Sequence, residues 1–130
     1  MVVDAAAIVD LLMANEPAAG WVEGELVRSP VVRAPHLLDI EVASAFRREV
    51  LRGNVPPEVG RVALDDLAEA PIRRYPATRL IGRIFELRDT LTAYDAAYVA
   101  LAESLGVPLI TTDARLARST GHSAEIVTPV

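Results

Sequence analysis

The chain has 130 residues and no cysteine, with thirteen basic residues, all arginine, against eighteen acidic ones, for a net charge of −5. One domain spanning 1–130 is expected, since a chain of this size buries roughly two-thirds of its unfolded surface without staples, and the lack of cysteine excludes disulfides and thiolate metal sites. The net charge excludes binding of nucleic acid by bulk electrostatics, but not a local arginine path beside an acidic pocket. The opening MVVDAAAIVDLLMANEP lacks a basic n-region, and Asp10 interrupts its apolar run. Neither a signal peptide nor a membrane span is expected, and the cytoplasm is the expected location.

Met1 to Val3 reads as a short strand that stops at Asp4, and Ala5 to Met13 as a helix. Pro17 opens a second helix carrying Trp21, Val22, Leu26 and Val27. Val31 and Val32, closed by Pro35, predict a second strand. Leu37 to Leu51 is an amphipathic helix with Val42, Ala43, Phe46 and Val50 on its buried side. Glu41, Ala45, Arg48 and Arg52 fall on a different stripe, away from that apolar centre. Pro57 to Ala70 predicts another helix. Ile72 to Tyr75 follows as a third strand, placed near an edge by its two arginines and flanking prolines. Arg73 and Arg74 read as solvated charge.

Ala77 to Asp89 returns to helix. Thr92 then caps a helix over Ala93 to Leu105, with Tyr94, Tyr98, Leu101 and Leu105 on its apolar stripe and Asp95 about a quarter turn away. Gly106 ends that helix and Pro108 prevents its resumption. Leu109 to Thr111 is a buried strand, Asp113 to Ser119 a short helix and Glu125 to Thr128 a last strand.

Strands alternating with helices predict an α/β fold, with a central parallel sheet of four to five strands between helical layers. Such sheets bind ligands beyond the carboxyl ends of their strands, where the strand order reverses. Asp4 and Asp113 each follow an apolar strand directly, so both belong at that edge. Together with Glu41 and Asp95 they form a set of four carboxylates. Each also has a plainer reading: Asp4 and Asp113 as helix N-caps, Asp95 as the acid of a capping box with Thr92, Glu41 as a solvated surface acid.

Several carboxylates converging with no lysine in the chain must either take up protons or be neutralised by a cation. All-oxygen ligation suits Mg²⁺, with Mn²⁺ able to substitute, and a hard cation supports phosphodiester hydrolysis by an activated water. The expected metal ligands are Asp4, Asp95 and Asp113, with Glu41 orienting the ligands or the attacking water. Arg48 and Arg52, on the Glu41 stripe, and Arg115, two residues after Asp113, are candidates to receive substrate phosphate.

The segments VVDAAAIVDLL, APHLLDIEVASAFRR and LRDTLTAYDAAYVALAESLGVPLITTDARLA, in this order and spacing, resemble PIN-domain ribonucleases, specifically VapC-type toxins of toxin–antitoxin pairs. The resemblance implies a PIN-like three-layer α/β/α fold and a Mg²⁺-dependent endoribonuclease acting on single-stranded or looped RNA. It places the catalytic acids at Asp4, Glu41, Asp95 and Asp113. It also implies a homodimer and a VapB-type antitoxin that lays a segment along a groove and obstructs the site. Trp21, Leu26, Val27, Leu11, Leu12 and Met13 are candidates for that groove, and Leu80, Ile81, Ile84 and Phe85 for the dimer face. The family's hydroxyl residue two places after the first acid is here Ala6. Thr112, just before Asp113, is a candidate to make a comparable bond.

A phospho-acceptor receiver would use a lysine, a dinucleotide binder a glycine fingerprint in place of Ala5 to Ala7, and a haloacid-dehalogenase-like phosphatase an acid in place of Ala6. None of these fits. The alternative of another class is a catalytically weak or inactive module of the same fold that binds RNA or a protein partner.

Overall fold

The computed structural model describes residues 1–129. Its centre is a five-stranded parallel sheet built from β1 (Val2–Val3), β2 (Val32–Pro35), β3 (Ile72–Tyr75), β4 (Leu109–Ile110) and β5 (Ile126–Val127). The strands lie in the order β3-β2-β1-β4-β5, which puts β3 at an edge, as its prolines and arginines indicate. The chain winds outward from β1 to β2 and β3, then crosses back to lay β4 on the other side of β1. The order therefore reverses between β1 and β4. Side chains just past the carboxyl ends of those two strands face the crevice that the reversal opens.

Around the sheet pack α1 (Ala5–Leu12), α2 (Ala18–Arg28), α3 (Leu37–Leu51), α4 (Pro57–Glu69), α5 (Ile81–Glu86), α6 (Ala93–Leu105) and α7 (Ala114–Ala117). β1 and β4 are covered on both faces: Val2, Val3, Leu109 and Ile110 are all buried, which is why they read as unbroken apolar runs. Helix α6 is the most enclosed of the helices, with every residue from Ala96 to Ala102 buried. Its small alanines bring its backbone close to the sheet, and Gly106, at φ 64°, closes it in the left-handed conformation. No helix among the described residues is long and apolar enough to cross a membrane.

Three expectations are corrected. The helix expected from Ala77 to Asp89 is a 3-10 turn over Thr78–Leu80 followed by the six-residue α5. Gly82 weakens the helix at its start, and the chain turns again after Leu87. Ala45 is buried although it shares a stripe with Glu41. Arg74 is not solvated: its guanidinium holds Asp39 at 3.0 and 3.2 Å and donates to the carbonyls of Leu67, Ala70 and Ile72. It ties the end of α4 to β3 and to the start of α3, and satisfies carbonyls that the end of α4 leaves open. Arg73 beside it is exposed.

Candidate active site

Asp4 stands where β1 ends and α1 begins. Its Oδ1 accepts a 2.9 Å hydrogen bond from the Ala7 backbone N–H, so the plainer reading as an N-cap holds too. Its Oδ2 accepts from the Thr111 hydroxyl at the end of β4. The same hydroxyl oxygen accepts from the Asp113 N–H at 2.9 Å. One buried threonine thereby links the first acid to the last across the strand reversal. The hydroxyl that supports Asp4 is Thr111, one place before Thr112, which makes no such bond. Thr111 escaped the sequence reading because a β-branched residue ending a strand needs no further explanation.

Asp113 caps α7, accepting from the Arg115 and Leu116 N–H groups at 2.8 and 3.4 Å. Asp95 lies in the first turn of α6, its N–H donating to the Thr92 hydroxyl at 3.2 Å. Only that half of the expected capping box forms. The Asp95 carboxylate turns to the Arg115 guanidinium, 3.0 Å away, which also holds Asp113 at 3.1 Å. Glu41, on α3, accepts a 2.5 Å bond from the Tyr98 hydroxyl.

Asp4, Glu41, Asp95 and Asp113 all line one cavity of about 320 Å³. Ala6 lies on its wall and brings no hydroxyl from that position; the hydroxyl bonded to Asp4 is that of Thr111. Arg48 also lines it and, among the described residues, has no ion-pair or side-chain hydrogen-bond partner. Arg52 is not brought to the cavity: it pairs with Glu49 at 3.3 Å on the outer surface of α3. Ser44, one turn beyond Glu41, lines the cavity and was missed; its position three residues from an acid on a helix was the available signal.

The electrostatics follow from the crowding. Burial, with Asp113 and Asp95 adding repulsion, raises the Asp4 pKa to about 6 against the bonds from Thr111 and Ala7, which lower it. Burial also raises Glu41, again with Asp95 adding and the Tyr98 bond opposing. Arg115, two-thirds exposed on the rim, supplies positive charge to Asp95 and Asp113. The donor set is all oxygen and carries no soft ligand, the chemistry of a Mg²⁺ or Mn²⁺ site. With Arg115 across two acids and Thr111 on a third, no three of the described Asp, Glu or His side chains are arranged to hold an ion as they stand.

Two apolar features lie apart from this cavity. Leu11, Leu12, Leu26, Val27, Leu67 and Ile72 line a groove of about 400 Å³ between α1, α2, α4 and β3. Trp21 and Met13, expected there, do not line it. Of the expected dimer face, Leu80 and Ile84 are buried, whereas Ile81 and Phe85 are exposed.

The PIN domain family profile matches residues 1–121. Ribonuclease VapC1 of Mycobacterium tuberculosis is 48% identical over 126 residues, covering 96% of this chain and 94% of that protein. Ribonuclease VapC12 of the same organism is 44% identical over 126 residues, covering 97% and 96%. The fold matches the crystal structure of M. tuberculosis VapC20, a sarcin–ricin-loop-cleaving toxin, with a TM-score of 0.74 over 98% of both chains at 16% identity. That last likeness is one of fold alone.

Proposed function

The chain belongs to the PIN-domain family and, within it, to the VapC ribonucleases, and from that membership we propose that its acidic cavity is the hydrolytic centre of an endoribonuclease toxin, with Asp4, Asp95 and Asp113 holding Mg²⁺ or Mn²⁺. The observation that carries this reading is the convergence of four carboxylates from four separate elements on one cavity. When bound, the cation supplies positive charge to a phosphoryl oxygen and acidity to a water.

The chain's own groups do the rest. Glu41, a carboxylate on the cavity wall with one oxygen free of partners among the described residues, accepts the proton of the water. Arg48, on the wall and unpaired among the described residues, receives a substrate phosphate. Arg115 lies close enough to both rim acids to contact phosphate beside them. The substrate class is single-stranded or looped RNA, and the net charge of −5 makes these arginines its main electrostatic attraction.

A VapB-type antitoxin is the partner. Its apolar segment fits the groove of Leu11, Leu12, Leu26 and Val27, and a chain continuing from there reaches the acidic cavity along α1, whose residues line both. A homodimer through exposed Ile81 and Phe85 completes the assembly. The whole chain acts as one PIN unit, working in the cytoplasm.

The test uses protein freed of antitoxin, a mixed cellular RNA pool, Mg²⁺ or Mn²⁺ and then chelator, beside an Asp95→Asn variant. Discrete fragments that require metal and vanish in the variant are expected. Folded wild-type protein that leaves RNA intact with both metals sinks the reading in favour of a binding module, and Ala6→Ser is then the first variant to make.

Arg115→Ala is expected to lower kcat/KM roughly tenfold, as loss of one charge-assisted phosphate contact does. Its unfolding temperature should hardly move, because exposed ion pairs contribute little. Equal cleavage by variant and wild type at several salt concentrations would remove Arg115 from the substrate path.

A further inference from the structure

Tyr98 is placed by α6 three residues after Asp95, on the same face one turn deeper. Its ring is 2% exposed and packed in the core, where phenylalanine would fill the same space without a polar atom to satisfy. What needs explanation is therefore the hydroxyl, since a buried O–H is retained only where it has a partner. That partner is Glu41 Oε1, 2.5 Å away on α3 and 57 residues distant in sequence. Both residues line the acidic cavity.

We propose that Tyr98 is a positioning residue for the hydrolysis: its hydroxyl fixes the Glu41 carboxylate toward the cavity and leaves Oε2 as the working oxygen. The inference rests on the ribonuclease reading above. Glu41 is half-buried on the cavity wall with three rotatable side-chain bonds, so without a tether its carboxylate is free to turn out of the cavity into water. The bond from Tyr98 removes that freedom. It is charge-assisted and short, the stronger kind of hydrogen bond. It also favours the ionised form of Glu41 against the burial that opposes it. Tyr98 itself acts only as a donor, because burial, and next the hydrogen bond to Glu41, push its pKa far up. Asp95 and Tyr98 thus give α6 two duties at one site, a carboxylate of its own and control of another helix's carboxylate.

The experiment is a double-mutant cycle of Tyr98→Phe and Glu41→Gln, read by single-turnover cleavage, by Mn²⁺ titration and by unfolding. Tyr98→Phe is expected to lower kcat by roughly 10- to 100-fold, the range of a hydrogen bond to a charged group. KM and Mn²⁺ affinity should stay within about threefold, because Arg48 and the three aspartates are untouched. In the Glu41→Gln background, Tyr98→Phe should cause no further loss of kcat. Unfolding of the metal-free proteins is the second readout, in a cycle of Tyr98→Phe with Glu41→Ala. There the two changes should be coupled at least threefold in the unfolding constant, on the order expected for contacting residues.

A folded Tyr98→Phe protein with wild-type kcat overturns the proposal, as does a second, independent loss of kcat in the Glu41→Gln background. An uncoupled unfolding cycle also overturns it. Wild-type protein that fails to cleave RNA sinks the ribonuclease reading instead, and is recognised because it fails before any variant is compared.

Discussion

Asp4→Asn is expected to abolish metal-dependent RNA cleavage, by roughly a thousandfold or more, and at the same time to raise the unfolding temperature of the metal-free protein at pH 8. The two effects have one cause. Asp4 is 4% exposed and faces Asp95 and Asp113, so its pKa stands at about 6 against an ordinary 3.8. The folded-state value lies above the unfolded one. The stability this group contributes is therefore fully present below about pH 4 and is lost as pH rises through about 6. Two pKa units correspond to about 3 kcal/mol, an upper figure for what the neutral amide recovers. Asparagine can still accept from the Ala7 N–H but must re-pair with Thr111, so a gain of about 1–2 kcal/mol is expected, a few degrees in a domain of this size.

Glu103 acts in another window. The Arg83 guanidinium beside it holds its pKa down to about 2, so its contribution is lost only as pH falls below about 4.5 towards 2. Comparing pH 5 with pH 8 separates the two. Melting curves of wild type and Asp4→Asn at those pH values, with chelator, decide the matter. A variant that melts lower than wild type at pH 8 would mean that Asp4 serves mainly as the cap of α1, with its charge well tolerated.

The fold was legible in the sequence wherever a residue's own chemistry decided its place. Val2-Val3 and Leu109-Ile110 are apolar on both faces and each is followed within three residues by an acid, so the strand ends and two of the acids could be read together. The prolines around Ile72 to Tyr75 marked the edge strand. What escaped depended on partners remote in sequence. Tyr98 reads as core because its ring is core, and nothing local says that its hydroxyl meets a glutamate on α3. Thr111 reads as strand, and only the pairing of β4 beside β1 turns its hydroxyl toward Asp4. Arg74 reads as solvated charge because the Asp39 it meets lies 35 residues away.

Ala45 shows a limit of the helical wheel. A stripe that borders a cavity can be polar at one turn and buried at the next. Among the arginines, Arg48 and Arg52 share that stripe, but they are one turn apart and only Arg48 reaches the cavity. The extra turn carries Arg52 to Glu49.

Addition of Mg²⁺ or Mn²⁺ is expected to stabilise the protein strongly at pH 7.5 and much less at pH 5. At a hundred times the dissociation constant, binding to the folded state alone is worth about 2.7 kcal/mol, several degrees of unfolding temperature here. The pH dependence comes from competition with protons. Near pH 5 the Asp4 carboxyl, titrating at about 6, carries a proton that a cation must displace, so affinity falls by roughly tenfold per pH unit below that point for one proton. Glu41, also raised by burial, acts in the same direction. At pH 7.5 Asp4 is ionised and repelled by Asp95 and Asp113, and a cation relieves that repulsion while Arg115 keeps its neutralising place only until one enters. The same titration on Asp4→Asn should show little shift at either pH. A shift of equal size at pH 5 and 7.5, or one that survives in Asp4→Asn, would place the cation away from these acids and remove metal binding from the cavity.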